Sequence, residues 1–294
     1  MHSIPYSDAF TLIESIEKGW SGEKKYYVET TRGERLLLRV TDASELGRKQ
    51  LEFALMEQAW SLGVPMSRPL NVGLCDGERS VYSLFTWCDG EDSEVVLPAL
   101  SKKEQYGLGI RAGEVLRLLH SIPAPQGGRT WQEYFNQKVN RKIEQYNACE
   151  LAFAGDTPVL HYIEENRHLL EDRPQSFQHG DYHVGNMVIS QDCTLSIIDF
   201  NRFDFGDPWE EFNRIVFSAK ASPEFAKGQI DGYFGGRPPE RFFQLLAFYI
   251  ASNTLSALPW ATNFGEKEIE TMRNQAEDVL SWFDNMTNHI PIWY

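Results

Sequence analysis

The 294-residue chain lacks the marks of a metal-stapled, secreted or membrane-bound protein. Its four cysteines, Cys75, Cys88, Cys149 and Cys193, stand far apart with no CxxC pair, which argues against a zinc site and against a disulfide framework. No segment reaches about 20 uninterrupted apolar residues, and no basic stretch precedes an apolar run near the start, so neither a membrane span nor a secretion signal is expected. A cytoplasmic location with reduced thiols is the expectation. Basic tracts are missing too: at a formal net charge of -14, the chain offers no cluster of lysines and arginines for the phosphates of a nucleic acid. Internal repeats and low-complexity segments are also lacking.

What is present is enough apolar sequence, 42% of residues, to bury a full core as one large domain or as two lobes sharing a cleft. The acidic surplus is uneven. Residues 1–88 hold 12 acidic and 10 basic side chains, whereas 89–294 hold 30 and 18. Solubility explains that surplus in one reading; in the other it draws a cationic substrate into a cleft.

Residues 25–86 read as strand-rich. Lys25–Thr31 and Glu34–Val40 are apolar and β-branched runs joined by a turn at Arg32-Gly33, a hairpin. Leu46, Phe53, Met56, Ala59 and Leu62 recur near a 3.6-residue period, predicting a helix that Gly63 and Pro65 end. Leu70–Cys75 and Ser80–Thr86 form a second pair about Asp76-Gly77, a strong turn signal. Beyond Gly90 the pattern turns helical. Ser101 and Glu104 make a capping box ahead of Leu108, Ala112, Val115, Leu116 and Leu119. Further helices are expected around Trp131–Tyr146, from Thr157-Pro158, over Phe242–Leu258, and along Ile269–Phe283. One short strand pair, Met187–Ser190 with Leu195–Ile198, interrupts them.

The most informative stretch is His179-Gly180-Asp181-Tyr182-His183-Val184-Gly185-Asn186, followed by Leu195-Ser196-Ile197-Ile198-Asp199-Phe200. A phosphoryl group in transfer spreads negative charge over its oxygens, so its catalysis is mostly positioning and electrostatics. Magnesium takes oxygen ligands and keeps several waters, so a carboxylate (Asp199) and an amide oxygen (Asn186) suffice beside nucleotide phosphates. A further carboxylate, Asp181, would orient a hydroxyl and accept its proton. Each aspartate alone reads as a turn or cap residue; together they point to this chemistry. His179 and His183 lie four apart, but Gly180 opposes a helix and the pattern is not HExxH, so both read as structural.

This stretch resembles the catalytic loop and metal-binding aspartate of the aminoglycoside phosphotransferase and choline kinase family, relatives of protein kinases. The spacing from Asp181 to Asn186 matches the kinase loop HRDxxxxN, and Asp199-Phe200-Asn201 sits where protein kinases carry Asp-Phe-Gly. The resemblance implies an α+β, two-lobed protein-kinase-like fold. Residues 1–88 would form an antiparallel-sheet N-lobe with one main helix. Residues 89–294 would form a larger, mostly helical C-lobe carrying the catalytic loop, metal site and acceptor site.

Further implications follow from position in that fold. Gly19-Trp20-Ser21-Gly22 would cover the nucleotide phosphates, with Ser21 and Gly22 contributing a hydroxyl and backbone N–H groups. Arg39 stands where the fold places a phosphate-binding lysine, a role a guanidinium can fill bidentately. Its ion-pair partner should come from the next helix: Glu52, with Glu57 in reserve. Leu84–Gly90 resembles the hinge, with adenine on the Thr86 carbonyl and Cys88 amide and Phe85 behind it. An ordinary turn, an exposed strand arginine and a plain strand end are the bland readings of these three segments. Gly206-Asp207-Pro208-Trp209-Glu210-Glu211 resembles the family's GDPxxD element, with Glu211 where an aspartate is usual, and is assigned to support. Asn201 and Arg202 replace a tryptophan and a glutamate common there, which leaves the acceptor open.

The expected activity is Mg2+-dependent transfer of the γ-phosphoryl group of ATP or GTP to a small-molecule hydroxyl, with Asp181 catalytic. An aminoglycoside-like antibiotic or natural product is one acceptor class, since the acidic C-lobe and Trp209, Trp260, Trp293 and Tyr294 would suit a cationic, ring-bearing molecule. The alternative is a metabolic kinase for choline, ethanolamine, homoserine or a sugar derivative. A third reading, a nucleotide-binding regulatory pseudokinase, is opposed by the presence of base, metal ligands and phosphate-binding cation. No nucleic-acid or membrane partner is expected, and the chain should be a monomer or weak dimer.

Overall fold

The computed structural model describes residues 4–17 and 22–294. The chain packs as two compact units, Met1–Asp92 with Asn186–Asn201, and Ser93–Gly185 with Arg202–Tyr294. The first unit begins with β1 (Phe10–Ile16), β2 (Lys24–Thr30), β3 (Arg35–Asp42), α1 (Leu46–Ser61), β4 (Pro69–Cys75), β5 (Ser80–Thr86) and β6 (Glu91–Asp92). The second opens with α2 (Ser93–Val96), α3 (Lys102–Leu119), α4 (Trp131–Ala148), α5 (Asp156–Asn166) and β7 (Ser176–Gln178). The chain then returns to the first unit for β8 (Met187–Ile189) and β9 (Leu195–Ile197). It finishes in the second with β10 (Asp204–Gly206), α6 (Ile215–Ala221), α7 (Pro223–Phe234), α8 (Glu240–Ala261) and α9 (Glu266–Trp282).

Five strands of the first unit pair antiparallel in the order β1-β2-β3-β5-β4. The two-residue alternation of a strand divides β3. Leu36, Leu38 and Val40 join Val28, Cys75, Tyr82 and Leu84 in a core on one face, leaving Leu37 and Arg39 for the other. The four-residue turn between β4 and β5 holds Asp76, Gly77 and Glu78 at φ 52°, 66° and 64°, left-handed values that glycine and aspartate tolerate best.

Two features depart from the sequence reading. The strand-rich block starts before residue 25: β1 pairs with β2, Ile13 opposite Val28, and as an edge strand it is exposed over most of its length. The strand pair within 187–198, expected with the C-terminal region, groups with the first unit. Glu91 lies opposite Ile189, and Ile197 N–H donates to Pro65 O at 2.8 Å. Gly90 permits that approach, since at φ 144° a Cβ there would fall 2.8 Å from the Ile189 carbonyl carbon.

In the second unit α8 is buried along most of its circumference, and α4, α5 and α9 pack against it. The capping box predicted at Ser101 and Glu104 opens α3, and an unforeseen one at Thr130 and Glu133 opens α4. Helices α3 and α7 meet through glycines: a Cβ on Gly113 would lie 2.1 Å from Gln229 O, and one on Gly232 would lie 2.2 Å from Ile110 O. Among the described residues no helix is long and apolar enough to cross a membrane.

Candidate active site

In the first unit the strand alternation turns Arg39 toward α1. Its Nη1 donates to Glu52 Oε1 at 3.0 Å, and its Nε donates to Glu23 Oε2 at 2.6 Å. Glu52, the first of the two partners considered, is therefore the one Arg39 meets on α1. Lys49, one turn before, binds the same two carboxylates, reaching Glu52 Oε2 at 2.5 Å and also Glu23. Arg39, Lys49 and Glu52 are 5%, 4% and 2% exposed, so the network is a buried one of two cations and two carboxylates. Burial alone would drive the proton from Arg39, but Glu52, Glu23 and Asp199 hold its pKa above the ordinary value. Burial likewise opposes ionisation of Glu23, and the charges of Arg39 and Lys49 overcome it, leaving its pKa lowered.

Asp199 follows β9 at φ 65°, a left-handed conformation that aspartate tolerates better than most residues. Its Oδ2 accepts from Lys25 Nζ at 3.0 Å, and its Oδ1 lies 3.7 Å from Arg39 Nη2. Ile198 N–H donates to Asn186 O at 3.0 Å, so Asn186 and Asp199 stand at the same end of the β8–β9 hairpin. Among the described residues no group of three histidines, cysteines or carboxylates forms a ready-made metal cage. One carboxylate and one amide oxygen are nevertheless a donor set that fits magnesium, which takes its remaining ligands from phosphate and water.

The nucleotide-facing candidates occupy the same unit. Ser21 lies outside the described residues; Gly22 is exposed, with nothing within 4 Å of the position a Cβ would take. Phe85 is buried, its ring 6.4 Å from that of Phe53 on α1. Thr86, ending β5, donates through N–H to Arg68 O at 2.9 Å and accepts from Arg68 N–H at its Oγ1. Cys88 Sγ lies 3.3 Å from Ser67 Oγ, and burial pushes its thiol pKa up.

In the second unit the loop after β7 carries Asp181. Gly180, at φ 83°, is required where the loop crosses Arg202, because a Cβ would fall 2.0 Å from Arg202 O. The buried carboxylate of Glu211 accepts from Gly180 N–H at 3.0 Å and from Tyr182 N–H at 3.3 Å. The Tyr182 hydroxyl in turn donates to Ala112 O of α3 at 2.6 Å. Asp207 is held bidentately by Arg173, at 2.7 and 2.8 Å, and by the Tyr249 hydroxyl at 2.6 Å. The segment from Gly206 to Glu211 thus braces the loop, with the glutamate serving where an aspartate was the expected type. His179 is fully buried and accepts from Asp181 N–H at 3.3 Å, while His183 accepts from Gly185 N–H at 3.1 Å.

Asp181 itself meets Arg214 Nε at 3.3 Å, His183 Nε2 at 3.6 Å and Arg202 Nη1 at 3.7 Å. Burial pushes its pKa up, but the hydrogen bond with His183 and the charges of Arg214 and Arg202 outweigh burial and hold it well below the usual carboxylate range. Asp181 is therefore ionised at any working pH, a strong hydrogen-bond acceptor and a weak base. Behind Arg214, Lys138 Nζ lies 3.2 Å from Glu210 Oε1, and Lys142 follows one turn along α4.

The sequence reading missed Lys25 at Asp199, Glu23 and Lys49 beside Arg39 and Glu52, Arg214 at Asp181, and Lys138 and Lys142 at Glu210. The spacing of Lys138 and Lys142, four apart on a predicted helix, was the only local signal, and a solvated face carries the same spacing.

A sequence model described as the phosphotransferase enzyme family matches residues 12–243. Among solved structures, a choline/ethanolamine kinase family protein from Mesorhizobium loti is 15% identical, with TM-score 0.70, covering 98% of this chain and 94% of that one. A thermostable mutant of aminoglycoside phosphotransferase APH(4)-Ia, solved with ADP and hygromycin B, is 18% identical, with TM-score 0.65 and coverage of 92% and 94%. Amicoumacin kinase hAmiN, solved with AMP-PNP, Ca2+ and its antibiotic, is 12% identical, with TM-score 0.66 and coverage of 97% and 90%. At these identities the likeness is one of fold. No curated protein matches the sequence.

Proposed function

The chain belongs to the phosphotransferase enzyme family, and from that premise we propose that it moves the γ-phosphoryl group of ATP, or of GTP, to a hydroxyl of a small-molecule acceptor. The observation that carries the reading is an aspartate kept ionised on a loop that Glu211 and Tyr182 hold in place. It lies five residues ahead of Asn186, which starts the hairpin ending at Asp199.

In this reading Asn186 and Asp199 hold Mg2+, which neutralises charge on the phosphates when bound. Arg39, kept in position by Glu52 and Glu23, and Lys25 offer cations to the nucleotide. Ser21 and Gly22 cover the phosphates, and Phe85, Thr86 and Cys88 receive the adenine. Asp181 accepts a hydrogen bond from the acceptor hydroxyl and takes its proton. A weak base suits that task, because in a loose transition state the hydroxyl need not be deprotonated early.

Of the two acceptor classes, an aminoglycoside-like compound and a small metabolite such as choline, ethanolamine, homoserine or a sugar derivative, one observation bears on the choice. Arg202 and Arg214 flank Asp181, so a polycationic acceptor would meet like charge at the reacting hydroxyl. That disfavours the aminoglycoside and, among the small metabolites, favours homoserine or a sugar derivative over the cations choline and ethanolamine. The test is acceptor-dependent ADP release with Mg2+-ATP over aminoglycosides, choline, ethanolamine, homoserine and sugars. Release with one of the metabolites supports the proposal; release with aminoglycosides alone would reverse the preference. Failure of Mg2+-ATP to raise the melting temperature of the protein would refute the kinase assignment.

A further inference from the structure

Among the described residues, the cluster that holds Asp181 and Glu210 has more cationic than anionic side chains. Arg202 and Arg214 face Asp181, while Lys138 and Lys142, one turn apart on α4, face Glu210, which Arg214 also approaches; Asp204 adds an attraction for Lys138. This surplus sits in a chain whose formal net charge is -14. Glu210 is already committed to Lys138, and Asp181 to the two arginines. Lys142, half-buried, makes no ion pair among the described residues. Burial above all, then the like charges of Lys138 and Arg214 against the single attraction of Glu210, push its pKa down to about 7. With two arginines on the one carboxylate of Asp181 and two lysines of α4 at that of Glu210, cations outnumber anions in this cluster, and an anion from outside would complete it.

We propose that Arg202, Arg214 and Lys142 bind an anionic group of the acceptor, a carboxylate or a phosphate monoester, next to the hydroxyl that Asp181 orients. The proposal rests on the phosphotransferase reading and adds the chemical class of its substrate: a hydroxy acid or a hydroxylated phosphate ester. Guanidinium and ammonium groups together suit either anion, the arginines by bidentate contact and the lysine as a point charge. The transferring phosphoryl group is the competing occupant, and the experiment separates the two.

Full-length protein is first titrated with Mg2+-AMP-PNP by calorimetry. The saturated complex is then titrated with 4-hydroxybutanoate against 4-hydroxybutanamide, with glycerol 3-phosphate against glycerol, and with choline. The expected result is a preference of about tenfold or more for one anion over its neutral counterpart, equivalent to about 1.4 kcal/mol. The pair showing it decides between carboxylate and phosphate. Lys142→Met and Arg202→Gln should each lower that preference by about tenfold, and Lys142→Arg should restore it. Binding of the preferred anion near pH 8 should also take up a proton, seen as a buffer-dependent enthalpy, because the anion raises the pKa of Lys142 among Lys138, Glu210 and Arg214. Equal or tighter binding of choline or the neutral probes overturns the proposal. So does a loss of Mg2+-AMP-PNP affinity in Lys142→Met as large as the loss of anion affinity, which would assign the cluster to the transferred phosphoryl group. If the wild-type protein does not bind Mg2+-AMP-PNP, the kinase reading fails by itself, and the anion titrations on the free protein still decide whether the cluster binds anions.

Discussion

Asp199 and Asp181 are each faced by two cationic side chains, and the two neighbourhoods differ in what stands behind those cations. Arg39 leans on Glu52 and Glu23, which Lys49 also shares, so that network is neutral before Asp199 is counted. Arg214 shares its neighbourhood with Lys138 and Lys142, which have Glu210 in common, so cations outnumber carboxylates there. Buried charges are tolerated when each has a partner, and removing one partner is then expensive. The closed network therefore works as a scaffold that keeps a guanidinium aimed, whereas the open one is a site prepared for a ligand's charge.

Four measurements would sharpen or break this contrast. The largest effect is expected for Asp181→Asn: turnover should fall about a thousandfold while Mg2+-nucleotide affinity, read by calorimetry, is retained. Next, Asp199→Asn should remove the stabilisation that Mg2+-ATP confers, about 2.7 kcal/mol at a concentration one hundred times Kd, seen as loss of the melting-temperature shift. If both variants lost nucleotide binding equally, the division of labour between the carboxylates would be wrong. Third, Glu52→Gln should lower unfolding free energy by about 2 kcal/mol in urea, because Arg39 then keeps only Glu23 as its carboxylate on that network. An unchanged midpoint would mean the closed network is not a scaffold.

The smallest effect has the opposite sign. Lys142→Met should raise stability at pH 6 by on the order of 0.5 kcal/mol, a modest gain because the side chain is partly screened by solvent. Since its folded pKa, about 7, lies below the ordinary lysine value of 10.5, the unfolded chain binds more protons between those values. Wild-type stability should therefore rise with pH across that window, from a penalty fully present below about 7 to none above the ordinary value. Replacing Lys142 should flatten the rise, and an identical pH profile in urea melts of both proteins would remove Lys142 from the cluster.

Local chemistry made much of the fold legible. The capping box at Ser101 and Glu104, the turn at Asp76-Gly77 and the period of α1 each depend on residues a few positions apart. Strand β1 escaped notice because its edge position leaves no buried alternation to read. Helices α6 and α7 lie in a stretch where no element was expected, and α7 packs through Gly228 and Gly232, which an apolar period does not register. The pairing of Arg39 with Glu52 followed from counting along one helix, but Glu23 and Lys49 join it only because strand and helix fold together.

The order of residues determined the Asp181-to-Asn186 spacing and the nearness in sequence of the proposed base and the two proposed metal donors, because these belong to one short stretch of chain. Tertiary structure decided the charge around each carboxylate. Coulomb interactions depend on distance through space and on exclusion of water, so Lys25 and Arg214, remote in sequence from Asp199 and Asp181, and Lys142, remote from Glu210, acquire their neighbours only on folding.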